Sequence, residues 1–201
     1  MRNYALFLIL SAAAFSASAA PPDQADGVAT VFEDVYVVNG LGDLVTADPR
    51  STLPDADLFT VSGVNLHLTW GQWSAATGTS AVHCAGGRTR ARFDLSGLIP
   101  GGVYSIFHVT FNPTSHNPVC SNSGEVATVE SFTADASGNA RLHAEDAGCL
   151  LDAEELRYDV IYHADGNTYG ALPDRGDALS GCRNSFGSDA LRQFIILQKF
   201  P

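Results

Sequence analysis

The six histidines are the side chains of this sequence best suited to chemistry, because imidazole binds transition metals and titrates near neutral pH. His83 precedes a cysteine, His116 lies four residues before another, and His108 falls within an alternating apolar run. No two histidines have the H-x-H or H-x3-H spacing of a compact metal site, and isolated histidines commonly form hydrogen bonds in the core or on the surface. A copper or zinc site formed by His83, His108 and His116, completed by Asp94 or a loop carboxylate, is therefore an alternative interpretation.

A calcium site is a second alternative, indicated by oxygen-bearing side chains that follow the last histidine. Asp165 and Asn167 alternate as in an oxygen-ligand loop, and Asp174 and Asp177 lie downstream. Calcium takes six to eight oxygen ligands. Tyr169 occupies the third ligand position, however, and a bidentate glutamate is missing, so the Asp-Gly-Asn run also fits an ordinary turn.

An aromatic ligand platform is a third alternative, formed by Trp70, Gln72 and Trp73 before a glycine-rich stretch. Trp70 fits the apolar side of its predicted strand, so Trp73 is the better candidate for exposure, with burial as the default for both. Covalent catalysis has less support. The sequence has no G-x-S-x-G elbow, and its cysteines are expected to be oxidised. A non-enzymatic role is favoured.

Residues 1–19 have the pattern of a signal peptide. Arg2 gives a positive start, an apolar run follows, and Ala17 and Ala19 provide the small residues that a signal peptidase reads. The apolar run is shorter than the ~20 residues needed to cross a bilayer, and no second such run follows. We expect an exported chain, secreted or periplasmic, with no membrane span after signal removal.

The composition is acidic: the 201 residues include 11 Lys+Arg and 22 Asp+Glu, a net charge of −11. Such a surface repels phosphate backbones, and no basic run is present, so nucleic-acid binding is not expected. An unknown extracellular or periplasmic ligand is the expected partner.

Four cysteines, at 84, 120, 149 and 182, fit two disulfides in an oxidising compartment. Their spacing does not suit a zinc knuckle, and three pairings are possible. If the strands around them form hairpins, Cys84 lies near Cys120, which makes Cys84–Cys120 and Cys149–Cys182 the preferred pairing. The same reasoning also permits Cys120–Cys149.

The alternation of apolar and polar residues predicts an all-β domain over residues 29–201, preceded by a flexible lead at 20–28. About 8–9 antiparallel strands are expected, with hairpins at 88–111 and 126–142 and only one helix candidate, at 145–156. The stretches 74–87, 112–124 and 164–189 are predicted loops.

The run from Leu95 to Tyr104, LSGLIPGGVY, resembles the corner of fibronectin type III domains. In those domains an L-x-P-G turn leads into a strand opened by a tyrosine, whose hydroxyl bonds back to the loop. The resemblance implies an immunoglobulin- or fibronectin III-like β-sandwich and no particular function. The immunoglobulin signature itself is missing, because both tryptophans precede every cysteine.

The run FHVT at residues 107–110 resembles the F-H-V-H run of copper/zinc superoxide dismutases, with Thr110 in place of the second histidine. That resemblance implies a metal-dependent oxidoreductase, although the later histidine elements of that family cannot be placed. The blocks LTWGQWSAATG and YHADGNTYG are similar to blocks of exported bacterial proteins whose function is not assigned. We therefore expect an exported binding or structural module that acts through its end loops, without a cofactor. A copper/zinc-binding or superoxide dismutase-like protein is the alternative.

Overall fold

The computed structural model of the chain describes residues 24–31, 35–111, 126–153, 155–167 and 190–199. Besides one short helix, α1 (Trp70–Ser74), and a 3-10 turn (Leu150–Asp152), this part of the chain is built from strands. In chain order the strands are β1 (Gln24–Val31), β2 (Tyr36–Val38), β3 (Leu44–Thr46), β4 (Asp57–Phe59), β5 (Asn65–Thr69), β6 (Thr77–Ala85), β7 (Arg88–Ser96), β8 (Val103–Phe111), β9 (Val126–Thr133), β10 (Ala140–Ala147), β11 (Glu155–His163) and β12 (Ala190–Lys199). Neither helical segment has the length and apolar character that a membrane crossing requires.

Eight strands form one antiparallel sheet in the order β10-β7-β6-β1-β12-β11-β8-β9. The sheet folds over on itself, because Phe93 of β7 contacts Tyr158 of β11, four places away, with ring centroids 4.8 Å apart. Buried apolar side chains from both halves fill the space between the two layers. The all-β, sandwich-like architecture predicted from the alternation is therefore confirmed.

The two predicted hairpins are wrong, although their strands are present. β7 pairs with β6 and β10, whereas β8 pairs with β9 and β11, so the corner between β7 and β8 crosses from one layer to the other. The turn between β9 and β10 crosses in the same way, because these strands lie at opposite edges of the sheet. Alternation identifies a strand but not its partner, because any strand with one buried face shows the same pattern.

A buried tyrosine hydroxyl holds the first crossing in place. The Oη of Tyr104 accepts a hydrogen bond from the Ile99 N–H at 2.8 Å and donates one to Oε1 of Gln193 at 2.9 Å. The Nε2 of Gln193 donates to the carbonyl oxygen of Trp73 at 3.0 Å, which connects β12 to α1. The bond from the tyrosine back to its loop, implied by the fibronectin-like corner, is therefore present. Burial raises the pKa of Tyr104, so the phenol remains a neutral donor.

The two crossings pack against each other at one end of the sheet. The N–H of Leu98 donates to the Gly138 carbonyl at 2.9 Å, and the N–H of Ala134 donates to the Gly102 carbonyl at 2.9 Å. Gly97, at φ 66°, lies so close to α1 that an added Cβ would overlap the carbonyl of Ala75. Only glycine fits there, because the position needs both a left-handed backbone and no side chain.

The remaining four strands form a smaller sheet in the order β3-β2-β4-β5, which continues directly into α1. The sequence placed Trp70 on a predicted strand, but the chain turns helical at this residue. Thr69 and Gln72 form a capping box: the Gln72 N–H donates to Oγ1 of Thr69, and the Thr69 N–H donates to Oε1 of Gln72. This reciprocal cap is the local signal for the helix start.

Three further predictions are wrong. The predicted loop at 74–87 contains the nine-residue strand β6, in which Gly78 and Ser80 occupy buried positions before Val82 and hide the alternation. The helix candidate at 145–156 is occupied by the end of β10, a 3-10 turn and the start of β11. β1 begins at Gln24, within the stretch predicted to be a flexible lead.

The preferred disulfide pairing is also wrong, because the bridge joins Cys84 to Cys149. β6 and β10 lie on either side of β7. Cys84, near the end of β6, and Cys149, just after β10, lie at the same end of these strands. The preference for Cys84–Cys120 assumed a β7–β8 hairpin that does not form. Cys120 and Cys182 lie outside the described residues. The second predicted bridge therefore remains a prediction.

Candidate functional site

An exposed apolar surface lies on the small sheet. Val38 and Leu44 are cross-strand partners, as are Tyr36 and Phe59, so these four side chains share one side of the sheet. Val38 is 51% exposed, and Leu41, at the tip of the β2–β3 turn, is 87% exposed. We call these five residues the apolar face. The opposite side of the sheet is largely buried, with Val35, Val37, Ala47 and Leu58 in the core, although Val45 at its edge is 37% exposed.

Exposed acidic side chains lie on the same strands and turn as the apolar face. Asp43 stands in the β2–β3 turn, Asp57 lies on β4, and Asp55 precedes it; all three are exposed. The turn around Asp43 is held by Asn39, whose side-chain oxygen accepts bonds from the N–H groups of Leu41 and Asp43 at 2.9 Å. The face thus combines exposed apolar groups with a negatively charged rim on a short, well-defined turn.

A different cluster of polar side chains lies inside the eight-stranded sheet, near the disulfide. His108 of β8 and Tyr158 of β11 are direct cross-strand partners, and Nδ1 of His108 lies 3.7 Å from Oδ2 of Asp146 on β10. Both His108 nitrogens, Oδ2 of Asp146 and the Tyr158 hydroxyl are buried without a hydrogen bond within the described part of the chain. Each such atom costs about 1–3 kcal/mol unless a partner satisfies it. Burial, with the Asp146 carboxylate nearby, raises the pKa of Tyr158.

The end of β10 that carries this aspartate is firmly attached. Thr89 stands opposite Asp146 in the β7–β10 pairing, and its Oγ1 donates to the Gly148 carbonyl and accepts from the Leu150 N–H, both at 2.8 Å. The disulfide follows at Cys149. These contacts fix the backbone on both sides of the carboxylate.

A third arrangement joins two serines and a histidine across three strands. The Nε2 of His163 lies 3.0 Å from Oγ of Ser105, which lies 2.8 Å from Oγ of Ser131. Burial lowers the pKa of His163, opposed by the nearby Asp165. A neutral imidazole beside a hydroxyl is the pairing used in nucleophilic catalysis, but Ser105 is 1% exposed. We therefore interpret it as a polar link between β8, β9 and β11.

The structure does not bring the predicted copper or zinc ligands together. His83 lies on the exposed side of β6, whereas His108 lies on the core side of β8 with Tyr104 and Ile106. His116 lies outside the described residues. Within the described ranges, no three His, Cys, Asp or Glu side chains form a metal-binding group. Asp94 instead pairs with Arg92 and Arg141, which hold its pKa below the ordinary value.

The predicted calcium ligands are described only in part. Asp165 and Asn167 form a turn after β11, in which Oδ1 of Asp165 accepts the Asn167 N–H at 3.0 Å. Gly166 adopts φ 73° between them. This is the ordinary turn geometry that the sequence also permitted. Asp174 and Asp177 lie outside the described residues, so the calcium site remains a prediction.

The proposed aromatic platform does not form an exposed surface. Trp73 is fully buried and packs edge-on against Tyr162 at 6.2 Å, and Trp70 is 5% exposed. Gln72 is exposed, but its side-chain oxygen serves the helix cap. Burial, the default expectation for the two indoles, is what the structure shows.

Two features escaped the sequence analysis. The apolar face exists because the side chains of Tyr36, Val38 and Phe59 point to the same side of the small sheet. Only the strand pairing determines this. Asp146 and Tyr158 are separated from His108 by tens of residues and carry no motif. An aspartate at an inward position of an alternating run is the one hint that the sequence offered.

No model of a known protein family matches this chain, and no curated protein matches it either. Its function must therefore be inferred from its own geometry.

Proposed function

We propose that this protein is an exported, non-enzymatic binding module that holds a protein partner through the apolar face of its small sheet. The observation that carries the proposal is the placement of exposed apolar side chains. Val38 is 51% and Leu41 87% exposed, and the partly exposed Tyr36, Leu44 and Phe59 lie on the same side of the small sheet as Val38. Scattered apolar residues need no explanation, but a contiguous set on one surface is typical of an interaction site.

The rim and the net charge support a partner with basic and apolar character. The face is bordered by exposed aspartates on a chain of net charge −11. Opposite charges around an interface raise the association rate and restrict the choice of partner. The proposal is close to the end-loop module expected from the sequence, with the β2–β3 turn and its sheet as the contacting element.

The short strand β3 offers a second means of contact. It forms one edge of the small sheet, so one side of its backbone has no neighbouring strand in the described chain. An extended segment of a partner can hydrogen-bond to such an edge while its side chains pack on the adjacent apolar face.

Photo-crosslinking in the exported fraction of the native organism tests this proposal. A photoreactive residue at Val38 should crosslink to one discrete partner, and the same residue at Leu197 should not. Leu197 is the matched control, because it is 40% exposed but lies on β12, away from the small sheet. Leu41→Asp in the Val38-labelled protein should abolish the crosslink. Equal products from both positions, or none from either, would refute the proposal.

A further inference from the structure

We propose that His108, Asp146 and Tyr158 bind one divalent transition-metal ion, with Zn²⁺ as the preferred metal, inside the eight-stranded sheet near the disulfide. This inference is independent of the proposed function, because the two sites lie on different sheets. It also differs from the set expected from the sequence, since it retains His108 but neither His83 nor His116.

The ligand chemistry suits zinc. An imidazole nitrogen and a carboxylate oxygen are donors that Zn²⁺ accepts, and a fourth position can be taken by water. The Tyr158 oxygen would bind as a phenolate, because a bound cation favours loss of the phenol proton. Four buried atoms of this cluster have no hydrogen bond within the described chain: the two nitrogens of His108, Oδ2 of Asp146 and the hydroxyl of Tyr158. A cation would satisfy several of them at once and offset the charge of the buried carboxylate oxygen.

The distance between His108 and Asp146 is close to the distance between two ligands of one ion. With zinc–ligand bonds of about 2.0–2.2 Å, two ligands of a tetrahedral site lie about 3.4 Å apart. The Nδ1 of His108 and Oδ2 of Asp146 lie 3.7 Å apart, too far for a hydrogen bond and a few tenths of an ångström from that spacing. Tyr158 is held beside His108 as its direct cross-strand partner.

The ligands are held in position by the surrounding fold. His108 and Tyr158 come from paired central strands, and the backbone around Asp146 is fixed by Thr89 and the disulfide at Cys149. The side chain of His108 is 3% exposed, whereas that of Asp146 is 20% exposed. The ion would therefore enter from the Asp146 side, attracted by an acidic protein.

Isothermal titration of the whole, disulfide-bonded protein with ZnCl2, after EDTA treatment and dialysis, tests the inference. We expect one equivalent to bind and to raise the midpoint of thermal unfolding. His108→Gln and Asp146→Asn should each weaken Zn²⁺ binding by more than about tenfold, because loss of an outer-shell partner alone commonly weakens binding 10–100-fold. The matched control is His83→Gln, at an exposed histidine, which should bind zinc as the wild type does.

Tyr158→Phe keeps the buried ring and tests the phenol separately. If His108→Gln fails to fold, Asp146→Asn and Tyr158→Phe still decide the question. Co²⁺ should give a visible absorption band at one equivalent in the wild type and not in Asp146→Asn. The absence of metal-dependent stabilisation would overturn the inference. So would zinc binding that survives Asp146→Asn and Tyr158→Phe or that is lost in His83→Gln, since these results indicate surface binding only.

Discussion

Tyr104→Phe is the most direct test of how the two layers are held together. The substitution keeps the ring, which stacks on Phe132 at 5.4 Å, and removes only the hydroxyl. The N–H of Ile99 and Oε1 of Gln193 would then be buried without their partner. Each orphaned group costs about 1–3 kcal/mol, so with partial relaxation we expect a loss of about 2–4 kcal/mol in the free energy of unfolding.

Urea denaturation followed by circular dichroism measures that loss, and thermal unfolding should show a midpoint lowered by roughly 5–15 °C. Tyr162→Phe is the matched control, because Tyr162 packs beside Tyr104 but its hydroxyl takes no part in this network. It should change stability by less than about 0.5 kcal/mol. If Tyr104→Phe costs no more than the control, the hydroxyl does not hold the crossing and the reasoning is refuted.

Three further changes test other parts of the fold. Gly97→Ala should lower the free energy of unfolding, measured in urea, by at least about 2 kcal/mol more than Gly101→Ala does. Both glycines have positive φ, but only Gly97 lacks space for a Cβ. Equal losses would contradict the close approach of Gly97 to α1. Replacing Cys84 and Cys149 together by alanine should cost about 4 kcal/mol, since the bridge closes a separation of 65 residues, and unchanged stability under non-reducing conditions would argue against this pairing. Asp94 has a lowered pKa in the folded state, so its stabilising contribution is present above the unfolded pKa of about 3.9 and is lost as the pH falls further. Asp94→Asn should therefore flatten the decline in stability below about pH 4. An unaltered pH profile would refute this.

The sequence predicted the long strands well where apolar and polar residues alternate clearly. Arg88–Ser96 and Val103–Phe111 appear as expected, because large apolar side chains mark every second position. β6 was missed because Gly78 and Ser80 precede Val82 on its core side, and an added Cβ at Gly78 would overlap the side chain of Leu95. A strand selected for tight packing loses the apolar signal that identifies strands.

Local sequence patterns did not identify which strands pair with each other. The corner at residues 97–102 has the composition of a hairpin turn, yet Gly97 and Tyr104 direct the chain across the core by their contacts with α1 and β12. Those contacts involve residues that are far away in sequence. The candidate site followed the same rule: His108 was identified as a reactive side chain, but its neighbours Asp146 and Tyr158 depend on pairings that only the fold defines.

The pairing of β1 with β12 places the first and last described strands side by side in the middle of the large sheet. The two halves of the large sheet are therefore joined by strands from opposite ends of the described chain, so the sheet is complete only when both strands are in place. Contacts over such long sequence separations slow folding. We expect local pairings, such as that of β6 with β7, to form early and the β1–β12 pairing to form last.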